Sequence, residues 1–188
     1  TSERTIRASL GLLERLSPRQ QLACTTFMEH FTALLAEAWL TDDFFRQSSD
    51  PEMLKLWQWH GLEELEHKSV AYDVLERVGG THRERQLAVP LTVAALLPGI
   101  LYSWAKLVAQ DPARFHVRAH GRGLLSLLGP RGFFRPVLAN VGAFTLRDFH
   151  PDKHDTRGVE DTWREKLFGE AGALRGQLRG RSARALGH

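Results

Sequence analysis

The stretch "WQWHGLEELEHKSVAYDV", Trp57 to Val74, decides the fold class. It reads as one uninterrupted helix, and it sets two histidines and three glutamates among residues of core type. Advancing about 100° per residue from His60 brings Met53, Leu56, Trp57, His60, Glu63, Glu64, His67, Ala71, Val74 and Val78 onto one broad face. Charged groups therefore interrupt an apolar stripe. Burying them there costs several kcal/mol each unless something pairs with them.

The flanking sequence is helical in the same way. Upstream, "SSDPEM" offers Asp50 as a cap and Pro51 in the first turn. "RVGGTHRER" supplies the stop, with Gly79 or Gly80 in the left-handed conformation. A preceding helix over about Pro18 to Thr41, capped by Ser17, is apolar nearly all round and is expected at the centre of a bundle, with Glu29, His30 and Glu37 as its few interior charges. An earlier helix is expected around Glu3 to Leu16, with Ile6, Leu10, Leu13 and Leu16 on one side. A final short helix is expected near Val159 to Leu167, after the polar turn "FHPDKHD". No alternation long enough for a strand occurs. The class is all-α: a helical bundle over residues 1–168 with an irregular C-terminal region, followed by a basic tail over 169–188.

Composition narrows the function. A chain of 188 residues with 43% hydrophobic content suits one domain with a sizeable core. The single cysteine, Cys24, gives neither a disulfide framework nor a CxxC zinc pair, so the default setting is reducing and cytoplasmic. Much of the formal charge of +3 comes from the tail arginines Arg175, Arg179, Arg181 and Arg184. That tail has no aromatic platform, and nucleic-acid binding is not expected. The chain has no signal-peptide core and does not begin with methionine, so it is read as processed or as starting partway into a longer protein.

Gln86 to Ala105, "QLAVPLTVAALLPGILYSWA", carries no charge and meets the length of about 20 residues needed to cross a membrane. Pro90, Pro98 and Gly99 predict a bent or broken helix there. The first reading is a buried or tunnel-lining helix of a soluble bundle; membrane association through residues 86–105 is the alternative.

In carboxylate-bridged bundles, single glutamates on one helix pair face Glu-x-x-His motifs on the other, because residues three apart share a face and grip one metal together. Glu64 and His67 have that spacing. Glu29 shares its face with Leu22, Thr25, Ala33, Ala36 and Leu40, which suits a carboxylate inside the bundle. The helices thus offer half of a two-metal site. His60 and Glu63 are further ligands or orienting groups. The competing reading is an exposed helix face with i,i+4 pairing such as Glu64 to Lys68. His30 points about 100° from Glu29 and suits packing or support of a ligand. His150, ahead of Pro151, reads as structural. Zinc-protease, phosphate-loop and nucleophile-elbow motifs are absent.

"LACTTFMEHFTALLAE", "WQWHGLEELEHKSVAYDV" and "FHPDKHD" together resemble the bacterial family of predicted metal-dependent hydrolases, whose general pattern is similar to ferritin-like di-iron proteins. The resemblance implicates Glu29, His60, Glu63, Glu64 and His67 as metal ligands, with His150 a weaker candidate. It implies two iron ions, with manganese as the alternative, and a small hydrophobic substrate that is oxidised with O2 or hydrolysed. Leu87 to Trp104 would line an access path. Family members carry a further Glu and Glu-x-x-His in a preceding region. The expectation is therefore a site completed by a homodimer partner or by N-terminal residues preceding this chain. A membrane-associated or structural helical protein without catalytic activity is the alternative of a different class.

Overall fold

A computed structural model describes residues 11–43, 49–112 and 114–175, together with residues 4, 7 and 47. Among these residues the protein is all-helical and has no strand. The helices are α1 (Pro18–Thr41), α2 (Pro51–His67), α3 (Val70–Arg77), α4 (His82–Gln110), α5 (Val117–Leu128), α6 (Arg135–Asn140) and α7 (Arg157–Phe168), with 3-10 turns at Val141–Thr145 and Pro151–Lys153. The all-α class expected from the sequence is the class observed. Of the expected first helix, residues 4, 7 and 11–13 are helical; Ile6 and Leu10 lie outside the described residues. Of the basic tail, residues 176–188, with Arg179, Arg181 and Arg184, also lie outside them.

Local chemistry sets the helix boundaries. Ser17 caps α1 by accepting from the Gln20 amide at 3.2 Å, and Pro18 occupies the first turn, where its missing N–H is not needed. Asp50 does the same for α2, accepting from Glu52 and Met53 at 3.0 and 3.1 Å. Gly79 ends α3 with φ of 74°, a left-handed angle that strains any residue with a Cβ.

The two expectations about helix continuity meet different outcomes. The segment Trp57 to Val74 is not one uninterrupted helix, because regular helix gives way to a turn at Lys68 and Ser69. Both residues keep right-handed angles, while Lys68 Nζ is drawn to the His154 carbonyl and Thr156 Oγ1 at 2.7 and 2.6 Å. The segment over Gln86 to Ala105, by contrast, is not broken: Pro90 and Pro98 sit inside the continuous α4. They fall eight residues apart on its exposed side, and the residues whose carbonyls lose a partner, Gln86 and Ala94, are exposed as well.

The central position expected for α1 is observed. Its buried side chains serve three clusters: Ala23, Cys24 and Phe27 against α3, α4 and Phe144; Ala33, Ala36 and Leu40 against α2 and α7; Leu34 and Ala38 against Val137 of α6. Side chain to backbone bonds over long sequence separations fix the register. Trp163 Nε1 donates to the Leu40 carbonyl at 3.1 Å, and Tyr72 Oη donates to the Phe149 carbonyl at 2.5 Å. Arg85 is buried, donates to the carbonyls of Phe144 and Leu146 at 2.8 and 3.0 Å, and lies over the Tyr72, Phe144 and Phe149 rings. Where α1 and α2 cross, Gly61 admits Leu40: a Cβ there would meet Leu40 Cγ at 3.3 Å.

These contacts turn α2 so that its broad face points away from the core. Met53, Leu56, Trp57, Val74 and Val78 are exposed, whereas the sequence reading placed them over a buried stripe. The buried side of α2 is instead Gly61, Leu62 and Leu65. The apolar α4 departs from expectation in the same sense. Its buried residues are Arg85, Ala88, Thr92, Ala95 and Gly99, and only 17% of its most apolar 18-residue window is enclosed. By length and composition it is apolar enough to cross a membrane.

Candidate metal centre

Glu29 on α1 and His60, Glu63, Glu64 and His67 on α2 line one cavity of about 290 Å³, with Trp59 completing its wall. All five residues expected as ligands thus converge. The cavity is an open trough and not the enclosed bundle interior expected for Glu29: the side chains of Glu64, His60 and His67 are 21, 50 and 60% exposed. Because they keep contact with water, the desolvation cost that made a partner obligatory in the sequence reading does not fall on them in full.

Within α2 the acids and imidazoles pair one turn apart. His60 Nε2 lies 3.3 Å from Glu64 Oε1, and His67 Nδ1 lies 3.9 Å from Glu63 Oε2. The anticipated Glu64 to Lys68 surface pair does not form, since Lys68 reaches the segment before α7 instead. Thr32 on α1, one turn beyond Glu29, donates to Glu64 Oε2 at 2.6 Å. Both oxygens of Glu64 are therefore engaged, which fixes the carboxylate relative to α1. Across the trough, partial burial raises the pKa of Glu29; the Glu64 carboxylate pushes it the same way and His67 opposes it.

The other histidines stand apart. His30 is buried, its ring 4.9 Å from Phe149 and 5.8 Å from Phe144 between centroids, and Nε2 has no hydrogen-bond partner. Burial lowers its pKa to about 4, with His154 adding to the push and the backbone of Asn140 and Val141 resisting it. It packs and does not reach the trough. His150 caps the Pro151–Lys153 turn, its Nδ1 accepting from the Asp152 amide at 3.2 Å, and its Nε2 lies 3.3 Å from Asp73 Oδ1, so its role is structural. His154 Nε2 meets Glu37 Oε2 at 2.6 Å, a pair the sequence reading did not assemble because its members stand 117 residues apart. Thr32 was also missed. Its position three residues after Glu29 was the available signal, but it identifies a hydroxyl near the site only once the crossing of α1 and α2 is known.

Beside the trough, and sharing His60 and Glu64 with it, lies a mostly apolar cavity of about 440 Å³. Leu35, Trp39, Trp57 and Phe133 form its walls, with Ala36 and Gly61 leaving room between them. The Trp39 and Trp57 rings are 6.1 Å apart, and Trp57 is 6.0 Å from His60. Helix α4, whose Leu87 to Trp104 segment was expected to line an access path, lines neither of these two cavities.

Three glutamates and two imidazoles on one open wall are a donor set that suits iron, manganese or zinc by type. Among the described residues, however, no group of three His, Cys, Asp or Glu side chains comes close enough together to hold an ion. Fold and site define an all-α protein with carboxylate and imidazole side chains gathered along an open helix face. A family model described as predicted metal-dependent hydrolase matches residues 1–155, and the chain belongs to that family. No curated protein and no solved structure matches it.

Proposed function

We propose that the protein is a metal-dependent enzyme whose centre is ligated by Glu29, Glu64 and His67, with Glu63 and His60 as further donors. The convergence of all five on one trough, alongside an apolar cavity that shares two of them, carries this reading. Two iron ions fit the mixed oxygen and nitrogen set best, with manganese as the alternative, and the arrangement is of ferritin-like type. A bound metal would supply polarised water for hydrolysis or reaction with O2 for oxidation. This chain's own residues do the rest. Thr32 holds the Glu64 carboxylate in place, and Trp39, Trp57 and Phe133 seat a small hydrophobic substrate and exclude water from one side of it. His60, between the two cavities and 3.3 Å from Glu64, serves as a further donor or, when unligated, orients the Glu64 carboxylate.

The remaining donors come from a second copy of the chain or from residues preceding it in a longer protein. Metal analysis of protein purified without added metal tests the reading. Glu64→Ala and His67→Ala should each lower bound iron or manganese sharply with helix content retained. Unchanged metal in both variants, or no metal in the wild type and none in a chain extended at its N-terminus, would leave a structural or membrane-associated helical protein as the better account.

A further inference from the structure

Past Gly99, helix α4 leaves the core. None of the residues from Ile100 to Gln110 is buried, and these 11 residues extend about 16 Å at the usual helical rise. Ile100, Leu101, Trp104 and Leu107 are all more than half exposed. The next helix repeats the pattern, since α5 has no buried residue at all. Stepping about 100° per residue along α5 gathers Val117, Gly121, Leu124 and Leu128 on one side, flanked by Leu125 on one edge and by His120 and Leu127 on the other. It sets Arg122 and Ser126 on the far side, with Arg118 at the margin beside Leu125. Phe115, in the turn between the two helices, is 78% exposed, with the Arg114 guanidinium 4.7 Å from its ring centroid.

Charge follows the same boundary. Between Glu84 and Asp148 the sequence contains one acid, Asp111, although the whole chain has 22. Residues 112–147 carry six arginines and no Asp or Glu. A soluble surface mixes charges of both signs, whereas this one joins exposed leucines and tryptophan to cations with a single acid, Asp111. A second copy stacked on the same face would set these cations against their own kind. A surface that is apolar, aromatic and cationic together complements an anionic lipid bilayer, where leucines enter the acyl boundary and arginines meet phosphates.

We propose that the distal half of α4 and helix α5 form an interfacial anchor that docks the protein onto an anionic membrane surface. The helix α5 lies in the headgroup plane with Leu124 and Leu128 inward, Arg118 at the side and Arg122 outward. The trough between α1 and α2 is not part of this surface, so the anchor stands or falls independently of the metal.

The test is flotation of the full chain with phospholipid vesicles. The wild type should rise with vesicles of mixed phosphatidylglycerol and phosphatidylcholine, and bind phosphatidylcholine alone at least about tenfold more weakly. Arg118→Glu with Arg122→Glu should weaken binding to the mixed vesicles by about tenfold or more, as each cation at the surface contributes separately. Leu124→Ser with Leu128→Ser should do likewise. All four side chains lie outside the core, so circular dichroism should be unchanged. Trp104 emission should shift to the blue on binding, a change that Trp104→Phe removes. Equal binding to neutral and mixed vesicles, no flotation of the wild type, or undiminished flotation of the charge-reversed variant would each overturn the anchor.

Discussion

Thr32 and His30 stand two positions apart on α1 and face opposite problems. The Thr32 hydroxyl reaches out to Glu64 Oε2 at 2.6 Å, and a bond from a neutral donor to a carboxylate restricts which way its lone pairs point. Replacing it with the near-isosteric valine removes the donor and little else. Thr32→Val should weaken metal binding by roughly tenfold or more while Thr32→Ser keeps it, as read by calorimetric titration; loss of helix content in the valine variant would mean that the residue only packs. His30 looks inward. Folded, it is neutral with a pKa near 4; unfolded, it protonates with a pKa near 6.5. The unfolded chain takes up the proton first as pH falls. The full stability is therefore present above about pH 6.5 and is lost on descending toward 4, by on the order of 2–3 kcal/mol. His30→Leu should flatten the fall in melting temperature between pH 7 and 5. Parallel curves for the two proteins would show that the acid sensitivity arises elsewhere.

At the scale of the element, boundaries were legible wherever their cause is local. Ser17, Asp50 and Gly79 act within one turn of themselves, so their residue types announce what they do. Asp50→Ala should accordingly destabilise the fold by about 1 kcal/mol, and Gly79→Ala by a similar amount because of its φ of 74°; urea unfolding measures both. The departure from regular helix after His67 was illegible because its partners, His154 and Thr156, lie 86 and 88 residues away. The continuity of α4 was illegible for a complementary reason. A proline inside a helix removes one hydrogen bond and crowds the carbonyl four residues earlier, and the sequence does not say whether that position is open to water or enclosed. Periodicity reports that a face is apolar. It does not report what covers that face, which is why the stripe of α2 and the length of α4 were both read as core and are both largely exposed.

For the whole molecule, the candidate site was legible as a set of residues and not as a place. Helical spacing brought His60, Glu63, Glu64 and His67 together correctly, and the pairing of α1 with α2 added Glu29. Whether the set lies inside a bundle depends on what stands opposite, and here α1 and α2 supply one wall only. A two-metal bundle site draws on helices from both sides, a Glu from each of two and a Glu-x-x-His from each of the others, so one wall cannot close it. An isologous pair of chains brings the same wall opposite itself and would cover Met53, Leu56 and Trp57 in the same step. Such a dimer should hold about two ions between its protomers. Leu56→Arg, on the exposed face but outside the trough, should then dissociate the protomers and release metal while Glu29, Glu64 and His67 stay intact, as sedimentation paired with metal analysis would show. Full metal retention in a monomeric Leu56→Arg variant would exclude the dimer, and metal bound only by a chain extended at its N-terminus would assign the missing wall to that extension.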